Sequence, residues 1–144
     1  MFDQTTDDRL SSWAQHRAHL NQCGDPLHAV WEFWKPAPFI PYNNKIDPFY
    51  PRNWPTPWEI IVDNGYDDFT RALMIGYSLK WTNRFQETPV EIRTVLDTER
   101  NLSYNIVYVD NKWAINYNDS GPVEWEIMPN KFLVENLVEL KLPD

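Results

Sequence analysis

Trp54-Pro-Thr-Pro-Trp-Glu-Ile-Ile-Val-Asp-Asn-Gly-Tyr66-Asp-Asp-Phe-Thr-Arg-Ala-Leu73 is the stretch on which the fold turns. Thr56 and Glu59 stand three residues apart. That is the spacing at which a threonine caps a helix and a glutamate returns a bond to the cap. Pro57 occupies the first helical position, where a missing N–H costs nothing. A short helix is therefore predicted to about Val62, with Asn64-Gly65 breaking it. A second helix is predicted over 66–83. Its Phe69, Leu73, Met74, Ile75, Tyr77, Leu79 and Trp81 are apolar nearly all round, which predicts a buried central helix.

Upstream, residues 6–22 read as a polar helix. Thr6 can cap it, Asp7 and Asp8 suit its positive end, and Leu10, Trp13, Arg17 and Leu20 follow helical spacing. Gly24 offers a left-handed cap at its end. Asp25-Pro26 restarts a helix whose apolar face is Leu27, Val30, Trp31 and Trp34. Residues 35–55 carry six prolines, which exclude helix and central strand. Phe39, Ile40, Tyr42, Ile46, Phe49, Tyr50 and Trp54 make this passage too apolar for a linker. It is predicted to be an ordered arm that buries Phe39, Phe49 and Trp54 against the domain.

Downstream the period changes to two. Val90–Leu96 alternates as a strand, and Asp97–Asn101 turns the chain. Tyr104–Val109 and Lys112–Tyr117 flank Asp110-Asn111, a favoured two-residue hairpin turn. Val123–Ile127 alternates again, with Glu124 and Glu126 on its solvated side. Residues 131–142 suit either state: Phe132, Leu133, Leu137 and Leu140 fit a helix, while Val138, Leu140 and Leu142 fit an edge strand. Helices followed by antiparallel strands define an α+β fold, with N-terminal helices and the central helix packed on the sheet. One domain over 1–144 is expected, divided into N-terminal helices (6–34), arm (35–55) and helix-plus-sheet core (56–144).

The net charge of −8 argues against duplex nucleic acid as a partner and favours either a solvated acidic surface that keeps the chain soluble or a basic partner, with the partner's identity open. A single cysteine, Cys23, excludes an intrachain disulfide and fits a reducing, cytoplasmic setting. The N-terminus lacks the basic start and apolar run of a signal peptide, and no apolar run approaches a membrane span of about 20 residues.

On these motifs the chain resembles the transglutaminase-like cysteine peptidases. In that family a Trp–Thr/Ser–Pro–x–Glu helix precedes a Gly-Asp-Cys-Glu-Asp-Phe/Tyr-Ala segment, followed by a histidine strand and an aspartate strand. Trp54, Thr56, Pro57 and Glu59 match the lead-in, and Asp68 and Phe69 match the end of the nucleophile segment. Ser103–Val107 and Trp113–Asn116 are similar to the two strands. The resemblance implies a papain/transglutaminase-like scaffold in which a helix N-terminus stabilises a thiolate, a histidine takes its proton and a carboxylate orients the histidine. It also implies that the reactive groups are replaced: Tyr66 for cysteine, Tyr104 (or Leu102 in another register) for histidine, and Asn116 for aspartate. No histidine follows residue 28. A phenol with pKa near 10 is a poor nucleophile at neutral pH. The expectation is a noncatalytic protein with no catalytic residue. In overall style the chain also resembles small proteins encoded by phages of marine cyanobacteria, which would make a virion component a second setting.

Other residues carry alternatives. Phe49, Tyr50 and Trp54 on the arm, with Asp67 and Asp68 at the central helix, are the candidate binding residues. Used as a recognition surface, the arm would make the chain an α+β binding module unrelated to that family. His16, His19 and Cys23 share a helix face, the geometry of a partial metal set, but no fourth ligand is indicated and no metal or cofactor is expected. Asp63, Asp67, Asp68, Glu59 and Glu91 could gather into an acid–base or metal site. An active hydrolase or transferase would need that cluster or Cys23.

Overall fold

The computed structural model describes residues 1–43, 46–117, 119 and 121–141. Four helices precede five strands: α1 (Thr6–Leu20), α2 (Pro26–Trp34), α3 (Pro57–Asp63), α4 (Asp68–Lys80), β1 (Val90–Asp97), β2 (Leu102–Val109), β3 (Trp113–Ile115), β4 (Val123–Glu124) and β5 (Phe132–Glu139). The strands form one antiparallel sheet in the order β4-β3-β2-β1-β5. This is the α+β arrangement the sequence predicts. No helix among the described residues is long and apolar enough to cross a membrane.

Local chemistry sets most boundaries. Thr56 and Glu59 form the complete capping box, and Asn64 closes α3 in the left-handed conformation, φ 53°. Asp25 caps α2 with Pro26 behind it. Asp110 and Asn111 turn the β2–β3 hairpin with φ of 57° and 55°, the left-handed pair a tight hairpin requires. At α1 the cap is Thr5 rather than Thr6, its Oγ1 accepting from the Asp8 N–H at 3.3 Å. The same helix ends at Asn21 in right-handed geometry. Gly24 is not left-handed, because no described glycine has a positive φ.

One segment differs from its sequence reading, and one that the sequence left open between helix and edge strand is decided as strand. Val123–Ile127 is a two-residue strand followed by a 3-10 turn at Trp125–Ile127, not a full strand. The turn lets the Trp125 ring fold back over the Arg93 guanidinium, 4.7 Å away. The 131–142 segment resolves as a strand over Phe132–Glu139, because β1 presents a free edge for it to pair with. Leu142 lies outside the described residues.

The sheet has two unlike faces. Ile92, Val107, Val109 and Ile115 pack with α4 and the tryptophans of α1 and α2 in the main core. The alternate residues Val95, Ile106 and Ala114 form a smaller cluster with Met128 on the outer face. α4 is buried nearly all round, as predicted. Gly76 is where it sits closest to the sheet side, since a Cβ there would collide with the Leu140 side chain. Inside the core, Ser78 Oγ accepts from the indole N–H of both Trp13 and Trp34, each at 2.9 Å.

The described residues of the arm are held by a few anchors. Ile46 is buried, Trp54 packs edge-on against Phe69 at 5.1 Å, and the Trp54 indole N–H donates to the Asp47 carbonyl at 3.0 Å. Phe39 and Phe49 do not bury: both point to solvent. Proline excludes the arm from regular structure but does not choose which ring turns inward, and the anchors here are Ile46 and Trp54.

Candidate functional site

The residues that matter meet where the start of α4 abuts β2 and the end of β3. Helix α4 begins at Asp68, one turn-defining residue after its cap. Asp67 is extended (φ −79°, ψ 179°), and its Oδ1 accepts from the Thr70 N–H at 2.7 Å. Its Oδ2 accepts from the Asn43 N–H at 3.2 Å and ties the arm to the helix start. Asp67 is therefore a cap and a tether.

Asp68 faces the sheet. Its Oδ2 accepts from the Asn105 backbone N–H at 2.8 Å and from Asn105 Nδ2 at 3.2 Å. Its Oδ1 accepts from Asn116 Nδ2 at 3.2 Å. Asn116 Nδ2 also lies 2.9 Å from the Asn105 carbonyl and 3.2 Å from the Asp68 carbonyl. Asn116 Oδ1 in turn accepts from Arg71 Nε at 2.8 Å. The Arg71 guanidinium lies 5.2 Å over the Trp31 ring. Asn116 is buried and holds a left-handed φ of 74°, a backbone state that costs a non-glycine residue of order 1 kcal/mol or more and persists where surroundings enforce it. Here the enforcing contacts are the bonds to Asp68 and Asn105. Burial pushes the Asp68 carboxyl above its ordinary range, and the Asn105 hydrogen bonds and the nearby Arg71 charge oppose that rise.

The other predicted positions lie elsewhere. Tyr66 precedes α4 rather than starting it. Its ring packs against Phe2 at 5.7 Å and Trp34 at 5.5 Å, in the main core. Its hydroxyl is buried without a hydrogen-bond partner, and burial raises its pKa. Tyr104 is on the outer face, ring to ring with Tyr117 and Phe132. Tyr66 and Tyr104 thus sit in separate clusters, and Asn116 alone of the three reaches the junction. Leu102 is exposed at the far end of β2. Asn105 was missed, yet period two pointed to it: Val107 and Val109 face the helices, so residue 105 does too, and Tyr104 cannot.

The carboxylates do not gather. Glu59 closes the capping box, Asp67 caps α4, Asp68 is in the junction, and Glu91 pairs with Arg93 at 2.9 Å on the outer face. Among the described residues no group of three or more His, Cys, Asp and Glu side chains is placed to hold a metal ion. His16 stacks on Phe33 at 3.8 Å, and Cys23 is half-buried beyond the end of α1. On the arm, Trp54 lines an open cavity of about 250 Å³ with Ile46, Arg52, Glu59 and Asp63, while Phe49 and Tyr50 are exposed.

The chain is an α+β fold in which a helix N-terminus packs against an antiparallel sheet and side chains from two adjacent strands meet it, and its structural neighbours are transglutaminase-like. Among solved structures, LapG of Legionella pneumophila superposes with a TM-score of 0.67 at 16% identity, covering 91% of this chain and 73% of LapG. The EGTA-treated form of LapG gives 0.64 with the same coverage and identity. LapG has the fold of the transglutaminase-like cysteine proteases. No family model and no curated protein matches the chain.

Proposed function

We propose that the chain is a noncatalytic protein built on a transglutaminase-like scaffold, acting through binding or assembly. One observation carries this reading: at the helix–sheet junction Asp68, Asn105, Asn116 and Arg71 satisfy one another. Thiol chemistry on this scaffold needs a thiolate, a base and an orienting group in mutual reach. The junction holds two amides, which neither attack nor accept a proton near neutral pH, and one carboxylate whose two oxygens are both engaged. Among the described residues, His16 stacks on Phe33, His28 faces Glu32 at 3.5 Å and Cys23 lies beyond the end of α1. The positions standing in for a triad on this reading are Asp68, Asn105 and Asn116, in place of the Tyr66, Tyr104 and Asn116 that the sequence motifs suggested.

The test is turnover. Purified protein offered fluorogenic peptide mixtures, amine-incorporation substrates and simple amides is expected to stay at background, as are Cys23→Ser and Asp68→Asn. Turnover lost on Asp68→Asn would make the junction a reaction centre and overturn the proposal. Turnover lost on Cys23→Ser would instead indicate an enzyme with an unrelated active site.

A further inference from the structure

The described residues of the arm combine a hydrogen-bonded backbone with exposed aromatic surface. Phe39, Tyr42, Phe49 and Tyr50 are 70%, 73%, 54% and 56% exposed. Three of them sit in matching tetrapeptides, Phe39 in Pro38-Phe-Ile-Pro41 and Phe49 and Tyr50 in Pro48-Phe-Tyr-Pro51, each with its phenylalanine outward. The backbone beneath is pinned. The Ile40 N–H donates to the Tyr66 carbonyl at 3.1 Å, the Tyr66 N–H to the Pro38 carbonyl at 2.9 Å, and Asn136 Nδ2 to the Pro48 carbonyl at 3.3 Å. Ordered rings of this kind lose little freedom on docking. At about 150–250 Å² per ring, the four present roughly 400–600 Å² to solvent. That is half or more of the ~800 Å² each partner contributes to a stable interface.

The opposite side of the molecule offers a matching concavity. On the outer face of the sheet, Trp125, Met128, Pro129 and Phe132 line an open cavity of about 370 Å³, large enough for an aromatic side chain. Glu126 stands on its wall, and Ile127 beside it is exposed. Among the described residues Lys35, Asp47 and Arg52 on the arm have no ion-pair partner, and neither has Glu126 at the cavity, so the arm brings one more cation than anion to a cavity with an unpaired carboxylate. The arm lies on the helical side and the cavity on the outer side of the sheet, so one molecule cannot join them within itself.

We propose that the aromatic arm of one copy docks in the outer-face cavity of a second copy, giving head-to-tail assembly. Such a heterologous contact leaves one arm and one cavity free at the ends, and so builds rings or open chains. The inference stands whether or not the helix–sheet junction is catalytically silent.

Sedimentation velocity from low micromolar to millimolar chain concentration tests it. The wild type is expected to rise from its single-chain 17.2 kDa to at least twice that mass. An arm variant, Phe39→Asp with Phe49→Asp, and a cavity variant, Glu126→Arg with Ile127→Asp, are each expected to stay single. All four positions are exposed, and circular dichroism with urea midpoints confirms folding. Mixing the two variants is decisive. One retains an arm and the other a cavity, so together they should form a 1:1 pair and nothing larger. A wild type that remains at 17.2 kDa throughout overturns the proposal. So does association that survives both variants, or a mixture that shows no pair.

Discussion

Replacing Ser78 with alanine removes one oxygen that two buried indoles share. Ser78 Oγ accepts from Trp13 Nε1 and Trp34 Nε1, each at 2.9 Å, and donates to the Met74 carbonyl at 2.7 Å. All three side chains are fully buried, so water does not replace the lost acceptor. Each stranded N–H costs about 1–3 kcal/mol, hence about 2–6 kcal/mol for the pair. Alanine is the better helix former by a few tenths of a kcal/mol, which works against the loss and makes any observed cost a lower bound. Against a total stability of ~5–15 kcal/mol the change is large. Urea unfolding measures it, and the control is the same substitution in a Trp13→Phe, Trp34→Phe background. There no indole N–H is left to strand, so Ser78→Ala should become nearly neutral. A cost below ~0.5 kcal/mol in the natural background, or an equal cost in both, would refute the reasoning.

The arm separates into anchor and display residues: Trp54→Ala should cost about 1–3 kcal/mol in thermal unfolding, and Phe49→Ala less than about 0.5 kcal/mol, which reverses the burial expectation for Phe49 alone. Burial against Phe33, with the His19 and Arg17 charges adding, brings the His16 pKa down to about 4. A folded pKa below the unfolded value near 6.5 means the stability is present above pH 6.5 and is lost as pH falls toward 4. His16→Leu should therefore narrow the difference between urea midpoints at pH 7 and pH 4.5, a term of up to ~3 kcal/mol. An unchanged slope counts against a buried neutral imidazole. In the β2–β3 turn, Asn111→Val should destabilise by about 1–2 kcal/mol, because a β-branched residue resists the φ of 55° there.

Features written in neighbouring residues were legible in the sequence. The Thr56–Glu59 box, Asp25-Pro26 and Asp110-Asn111 each complete their hydrogen bonds within a few positions. The buried character of α4 followed from apolar residues on every side. What depends on distant partners was not legible. The 131–142 segment had equal claims to both states until β1 supplied an edge. Val123–Ile127 alternates as a strand does, but Trp125 is recruited by Arg93 on another strand. The resemblance pointed to α4, β2 and β3, which do meet at one junction, yet Tyr66 and Tyr104, the positions that the motifs aligned, do not reach it. The structure shifts the helix start to Asp68 because Asp67 is the better cap. It takes Asn105 instead of Tyr104 because one residue changes the face of a strand.

The central claim, that the helix–sheet junction is a self-satisfied structural network, is tested most directly by a double-mutant cycle. Asp68→Ala, Asn116→Ala and the double variant would be compared by urea unfolding. The 3.2 Å bond between the part-buried Asp68 carboxylate and the Asn116 amide predicts single-variant costs of about 1–3 kcal/mol and a coupling of at least ~0.5 kcal/mol, the double variant losing less than the sum. Additive losses, or an Asp68→Ala variant more stable than the natural chain, would contradict the claim. The latter outcome would mean that the carboxylate is held at a cost, as a reaction centre holds its working group.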